Sequence, residues 1–278
     1  MSDRPRDHWV NLAKSWDLRK SPLRPAPEDI RIVENEVRRW YTSVQPGQIA
    51  AAVLGATPEL ARMSWPRAPR LLAIDKSQAM LRGVWPGAAL GCGTVCAEWT
   101  ALPLADASLD LILGDGCFSA VTGDKYRPFS RAMRRVIRGT GRVFMRYFLR
   151  PERSEPVSGI VADLWAGRIG NVHSFKWRLS MALHGTLAEG VRLDRIWDAW
   201  HEAVPEPERL AKNLDWPLPE ILTMDDFRGV AARYTFPTLA EARAAVSGEF
   251  EEIACHYPSY ELGERCPTLV LRPRGVGG

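Results

Sequence analysis

Apolar positions along the chain fall into two kinds of run. Ile49-Ala-Ala-Ala-Val-Leu54, Leu71-Leu-Ala-Ile74, Leu109-Asp-Leu-Ile-Leu113 and Val143-Phe-Met-Arg-Tyr-Phe148 are short and nearly continuous. The first three stop at turn-forming residues: Gly55, Asp75 and Gly114-Asp115. A shorter run, Thr94 to Ala97, precedes Glu98. Between several of them lie stretches of helical character, Glu59 to Trp65, Gln78 to Val84 and Tyr126 to Arg138. Strand-length apolar runs that alternate with helices predict a parallel sheet buried on both faces. The expected class is α/β, a doubly wound, mostly parallel sheet.

The pattern differs at both flanks of that region. In residues 1–47, Trp9, Leu12 and Trp16 recur at helical spacing, and Pro22, Pro25 and Pro27 then interrupt the chain. Pro27-Glu28-Asp29 predicts a helix start: proline suits the first turn, and the acids suit the positive end of the dipole. Ile32, Val33, Val37 and Trp40 give that helix one apolar stripe. Residues 151–235 abandon the alternation. They read as mainly helical, with tryptophans at 165, 177, 197, 200 and 216, and are too long for an ordinary connection between strand and helix. After them Thr238 and Glu241 form a capping-box pattern. Phe250 to Tyr257 and Thr268 to Arg272 then read as a hairpin at one sheet edge. The expected organisation is an N-terminal helical cap over 1–47, a core over 48–150 and 236–273, and a helical, substrate-side insertion over 151–235.

Composition narrows the class of partner. Thirty-seven Lys+Arg against 33 Asp+Glu leave a net charge of +4 on 278 residues, too little to imply nucleic acid by itself. Five cysteines fit neither a zinc knuckle nor a disulfide framework, and no histidine spacing suggests a metal. Reduced thiols in a cytoplasmic protein are the expectation. The opening residues are polar, so no secretory signal is expected, and no run approaches the length of a membrane span.

In a doubly wound sheet, ligands bind beyond the C-terminal ends of the strands, so the residues that follow each apolar run carry the chemistry. Gly55 permits a tight turn and close approach of a ligand to backbone, and Pro58 is pre-set to open a helix. Asp75, twenty residues later, can accept two hydrogen bonds from a ribose diol, the acidic position of nucleoside-binding α/β folds. The turn has one glycine, whereas a pyrophosphate-bearing dinucleotide calls for G-x-G-x-x-G. The pattern therefore favours a nucleoside ligand without phosphates.

The stretch Glu98-Trp99-Thr100-Ala101-Leu102-Pro103 … Asp106-Ala107-Ser108-Leu109-Asp110 closely resembles the acid-x-x-x-Leu-Pro … Asp-x-Ser-Phe-Asp segment of class I S-adenosylmethionine-dependent methyltransferases. The order of glycine turn, ribose acid, adenine-side acid and fourth strand is similar too. The resemblance covers roughly 45–150 and 236–273 and implies a seven-stranded Rossmann-like sheet. By that resemblance Gly55 and Ala56, with Thr57 behind them, pass under the methionine and ribose of the cofactor. Asp75 holds the ribose hydroxyls, with Lys76 beside the adenine. Glu98 reads the adenine amino group and Trp99 lines the ring. Asp115 and Gly116 face the cofactor amino acid or the transferred methyl. S-adenosylhomocysteine would be the product and a small molecule the methyl acceptor, with neither membrane nor nucleic acid as partner.

The sequence departs from the family in one place. Val53 stands where the first motif carries an acid, and Thr57-Pro58 replace its later glycines. A second candidate turn, Leu90-Gly91-Cys92-Gly93-Thr94, lacks a preceding apolar strand and would leave Gly55 and Asp75 unexplained. Asp115-Gly-Cys-Phe118 lacks the prolines of the motif used to methylate exocyclic amines. Cys117 reads as a structural thiol, His173 as a possible base in the insertion, and the eight arginines from Arg131 to Arg153 as a solvated face. An RNA or protein methyltransferase and a non-catalytic cofactor-binding module are the competing readings, with a nicotinamide enzyme behind them.

Overall fold

The strand-length runs pair because each is apolar on both faces and can be buried only between two layers of helix. In the computed structural model, which describes residues 8–87 and 91–275, β1 (Ala50–Leu54), β2 (Arg70–Asp75), β3 (Gly93–Cys96), β4 (Leu109–Asp115) and β5 (Ile137–Arg146) are mutually parallel. A two-residue pair, β6 (Val191–Arg192) and β7 (Arg233–Tyr234), lies apart from them. The C-terminal hairpin of β8 (Phe250–His256) and β9 (Thr268–Pro273) completes the main sheet, in the order β3-β2-β1-β4-β5-β9-β8. Strand β9 runs antiparallel to both its neighbours. The hairpin thus occupies a sheet edge, as its closely spaced strands predict.

Side chains alternate between two cores, as the two-residue period of a strand requires. Ala52, Leu54 and Ile112 pack against α5 (Tyr126–Val136) and α11 (Leu239–Val246). Ala51, Val53, Leu111 and Leu113 pack against α2 (Pro27–Val44), α3 (Pro58–Arg62) and α4 (Gln78–Gly83). Val53 is fully buried in this second layer, which explains an apolar residue where the resemblance calls for an acid. The Thr238–Glu241 capping box forms at the start of α11, with reciprocal bonds of 3.2 and 2.7 Å.

Two boundaries differ from the predicted ones. Helix α5 ends at Val136, and β5 begins at once with Ile137 rather than at Val143. The early part of β5 carries Arg138, Gly139, Thr140 and Gly141 and holds a register shift opposite Leu109–Leu111, so it lacks an apolar signature. Helix α3 stops at Arg62, with Met63 extended.

A third core lies over the C-terminal ends of the strands. Helices α6 (Val157–Trp165), α7 (Val172–Ala182), α8 (Leu193–Ala203), α9 (Pro207–Leu214) and α10 (Leu218–Ile221) contribute most of it, with Phe148, Leu262 and Cys266 from the sheet side. Helix α7 is buried almost all round, and most of its polar side chains bond within the fold, while His173 Nδ1 and the Trp177 indole N–H have no partner. Asn171 caps its first turn with two 2.9 Å bonds from the His173 and Ser174 amides. The short helix α1 (His8–Lys14) packs on α4 and on the 3-10 turn Leu222–Phe227.

Candidate functional site

Strand register sets the site. Leu54 lies opposite Ile74 on one side and Gly114 on the other. The next residues, Gly55, Asp75 and Asp115, therefore leave the sheet at one level, on either side of the point where strand order reverses. A crevice opens there in any doubly wound sheet. In this chain it is a cleft whose floor includes Leu54, Gly55, Ala56, Thr57, Asp75 and Met80.

Gly55 adopts φ +100°, a conformation that L side chains rarely take, and a Cβ there would lie 3.9 Å from both Asp75 Oδ2 and Trp99 Cζ2. Its amide donates to the Ile74 carbonyl at 2.8 Å. Buried Asp75 accepts the Ser77 amide on Oδ1 at 2.7 Å. Thr57 is the N-cap residue of α3, and both it and Ala56 are buried against the cleft. Trp99 donates its indole N–H to the Ile74 carbonyl at 2.6 Å and stacks on Phe129 with ring centres 5.8 Å apart. Its ring is thereby fixed in the cleft wall.

Glu98 and Lys76 lie in an adjoining hollow that also takes in Asp75, Trp9 and Trp99. They are half-exposed and face each other at 3.8 Å. The sequence-derived residues thus divide between two connected spaces, with Asp75 and Trp99 common to both. The glycines of the second candidate turn sit elsewhere: Gly93 opens β3 opposite Leu72, at the far end of that strand from Cys96 and its partner Asp75. Leu90 lies outside the described residues.

Asp115 and Gly116 also line the cleft. Gly116 takes φ +63° and starts the 3-10 turn Cys117–Ala120. Burial pushes the Asp115 carboxyl up to about 6, against the pull of Arg146. Arg146 is its partner in the β4–β5 register and donates from Nη1 to Asp115 Oδ1 at 2.6 Å. The same buried guanidinium donates from Nη2 to the Pro22 carbonyl and the Tyr260 hydroxyl, both at 2.7 Å, and its Nε lies 3.3 Å from Asp29 Oδ1. The arginine run is therefore not uniform. Arg131, Arg135 and Arg138 are largely exposed and pair with Glu249, Asp106 and Asp110, whereas Arg146 sits at the centre of a buried network. Nothing in the spacing of the run distinguishes it; its position at the end of β5, opposite the acid that ends β4, could have.

The roof comes from segments that sequence reasoning placed nearby without naming their contacts. Trp9, Leu12, Trp16, Arg19 and Leu23 enter from the N-terminal segment, and Trp177 and Tyr234 from the cap. Cys117 donates its thiol to the Leu54 carbonyl at 3.3 Å, and burial raises its pKa well above the usual thiol range, so it is a packed, protonated thiol. His173 is buried under the roof, bonded to the Leu18 carbonyl at 3.1 Å. Burial, with the nearby Lys176 charge, lowers its pKa to about 3, so it stays neutral at physiological pH and does not line the cleft. No group of three or more His, Cys, Asp or Glu able to hold a metal ion occurs among the described residues. Nor is any helix among them long and apolar enough to cross a membrane.

The fold is that of the class I S-adenosylmethionine-dependent methyltransferases: a seven-stranded, mostly parallel sheet with helices on both faces and one antiparallel strand near its edge. Among solved structures the chain is similar to a Rhodobacter sphaeroides protein described as a candidate Zn-dependent alcohol dehydrogenase, with a TM-score of 0.63 at 14% identity, covering 96% of this chain and 98% of that one. It is also similar to the Burkholderia thailandensis 1,6-didemethyltoxoflavin N1-methyltransferase bound to its substrate and S-adenosylhomocysteine, with a TM-score of 0.52 at 12% identity, covering 99% and 92%. A third likeness is to the N-methyltransferase NodS of Bradyrhizobium japonicum in complex with S-adenosylhomocysteine, with a TM-score of 0.50 at 10% identity, covering 97% and 100%. No family model matches the chain, and no curated protein matches it in sequence.

Proposed function

We propose that this protein is an S-adenosylmethionine-dependent methyltransferase acting on a small molecule. The observation that carries the reading is the pairing of Gly55 and Asp75 at adjacent strand tips. Gly55 carries no side chain, and a Cβ built on it would lie 3.9 Å from the Asp75 carboxylate, so its backbone stays open toward that acid. That cradle fits an adenosyl group. Two structural neighbours, the 1,6-didemethyltoxoflavin N1-methyltransferase and NodS, hold S-adenosylhomocysteine.

In this reading Asp75 accepts the ribose hydroxyls, the Gly55–Thr57 turn passes beneath the sugar and the amino-acid chain, and Trp99 forms a wall for the base. Glu98 lies within the adjoining hollow, where the exocyclic amine of an adenine would enter, and Lys76 balances its charge. Asp115 offers the carboxylate nearest in role to the acid that Val53 replaces. When bound, the cofactor supplies a methyl group already activated on a sulfonium. The chain's own task is to hold the acceptor in line with it and to exclude water. That accounts for a site with aromatic walls and no catalytic triad.

The Rhodobacter neighbour raises a nicotinamide alternative. Its weakness lies in the β1 turn, where Gly55 is followed by Ala56-Thr57-Pro58: a pyrophosphate lacks the second glycine that lets backbone approach it.

Calorimetry with S-adenosylhomocysteine and with NADH tests both. Binding of the first alone is expected. Asp75→Ala should weaken it by about 1.5–3 kcal/mol, the range for hydrogen bonds to a charged group. Selective NADH binding, or unchanged affinity in a folded Asp75→Ala protein, would overturn the reading.

A further inference from the structure

The cleft has more wall than an adenosyl ligand uses, and the chemistry of that extra wall is specific. Above the strand tips it is built from Trp9, Trp16, Trp177, Phe148 and Tyr234. Trp177, Phe148 and Tyr234 are held together. Trp177 packs at 5.0 Å from Phe148, edge-on at 5.7 Å from Tyr234 and edge-on at 5.3 Å from Phe236. A ring locked by three others offers a flat, pre-set surface at little entropic cost.

The polar groups in this wall are few and open. The indole N–H of Trp16, the indole N–H of Trp177 and the hydroxyl of Ser119 are buried and have no hydrogen-bond partner. A buried donor left unpaired costs free energy, and such groups call for explanation. All three belong to residues that line the cleft, and a ligand that supplies acceptor atoms would satisfy them.

Charge narrows the ligand further. Arg19 is the one cation among the described residues that line the cleft, and its charge is already paired, with Nε alone left without a hydrogen-bond partner. It is ion-paired to Asp226 and donates to the Ser15 carbonyl at 2.6 Å and the Ser15 hydroxyl at 2.8 Å. Nearby Lys176 is buried, donates to the Thr223 carbonyl at 3.0 Å and the Thr223 hydroxyl at 3.2 Å, and is not part of the lining. A carboxylate or phosphate on the acceptor would find no uncommitted cation and would lose its hydration.

We infer that the methyl acceptor is a planar, uncharged aromatic or heteroaromatic molecule, held flat against the Trp16–Trp177 wall with an acceptor atom toward their indole N–H groups and Ser119. The inference rests on the methyltransferase reading and deepens it.

The test saturates the protein with S-adenosylhomocysteine and titrates matched probe sets by calorimetry and tryptophan quenching. The sets are uncharged planar heteroaromatics such as 4-hydroxyquinoline, their ring carboxylates such as quinoline-4-carboxylate, and uncharged saturated bicyclic alcohols such as decahydronaphthalen-1-ol. The uncharged planar set should give the tightest binders, by about tenfold over its counterparts. Trp177→Leu and Trp16→Leu should each weaken them about five- to tenfold, the scale of one lost aromatic contact. Trp16 is only partly buried, so its variant serves if Trp177→Leu fails to fold. Tightest binding by the carboxylates or the saturated rings, no binding by any uncharged planar probe, or indifference to both substitutions would overturn the inference. So would parallel loss of S-adenosylhomocysteine and probe affinity in the variants, which would place the wall at the cofactor. Failure of the unsubstituted protein to bind S-adenosylhomocysteine would instead overturn the reading beneath it.

Discussion

Asp115 and Arg146 face each other across β4 and β5, and each makes the other's burial tolerable. Because burial raises the Asp115 carboxyl to about 6, the folded protein binds its proton more tightly than the unfolded chain does. The stabilising contribution is then complete below the ordinary carboxyl range and is lost as pH rises through about 6. Urea unfolding of the native protein and of Asp115→Asn from pH 4 to pH 8 should show it. The advantage of the native side chain should shrink by about 1–3 kcal/mol over that interval, and a constant difference would refute the assignment. Removing the cation should cost more. Arg146→Met leaves Asp115 and Asp29 buried without their partner, for which about 3–5 kcal/mol is expected at any pH above 6, read by the same unfolding curves. Asp75 could be placed from the sequence because it terminates an apolar run. Arg146 could be placed opposite Asp115 by the same logic, but its other partners Pro22 and Tyr260 lie 124 and 114 residues away and no local pattern announces them.

Elements were legible where one local signal ruled. The strands β1, β2 and β4 show as unbroken apolar runs, since both faces of each are covered, and α11 shows through its capping box. The first half of β5 hid, because Arg138, Gly139, Thr140 and Gly141 pair by backbone while offering little apolar surface. The turn after β4 needed the third dimension. The resemblance sets Gly116 beside the cofactor but does not show that a Cβ on it would run into the Phe148 ring, and its positive φ already disfavours any other side chain. Gly116→Ala should therefore destabilise by about 1–3 kcal/mol and, by moving Phe148, weaken acceptor probes more than S-adenosylhomocysteine. Thermal unfolding and the two titrations together check this; a stable variant with both affinities intact would show that the turn tolerates a side chain. In contrast, Thr238→Ala should cost about 1 kcal/mol through the lost cap alone and leave both ligands bound as before.

At the scale of the whole molecule, the N-terminal segment is the piece that closes the cleft, and it is tied on both sides. Towards the sheet, Arg146 reaches the Pro22 carbonyl and Arg24 donates from Nε to Glu59 at 2.8 Å. Towards the cap, Arg19 pairs with Asp226, Lys20 with Glu220, and the Leu18 carbonyl meets His173. The sequence marked residues 1–47 and 151–235 as departures from the α/β alternation but held no sign that they join each other, because ion pairs between distant segments leave no periodicity. The tie at Asp226 is the one best suited to a test, since its partner Arg19 is almost wholly buried and the acid lies outside the cleft lining. Asp226→Asn keeps the shape and removes the charge. It should lower the local stability of residues 8–24 by about 1–3 kcal/mol, the cost of a weakened charged hydrogen bond. Amide exchange there should speed up by roughly five- to 150-fold, while β1, β4 and the rest of the sheet keep their protection. Bound S-adenosylhomocysteine should restore part of that protection by mass action, because the segment's Trp9 also lines the hollow proposed for the adenine. If instead exchange in 8–24 is already fast in the unsubstituted protein and insensitive to ligand, then the roof does not stand over the strand tips in solution, and the acceptor wall inferred from it fails.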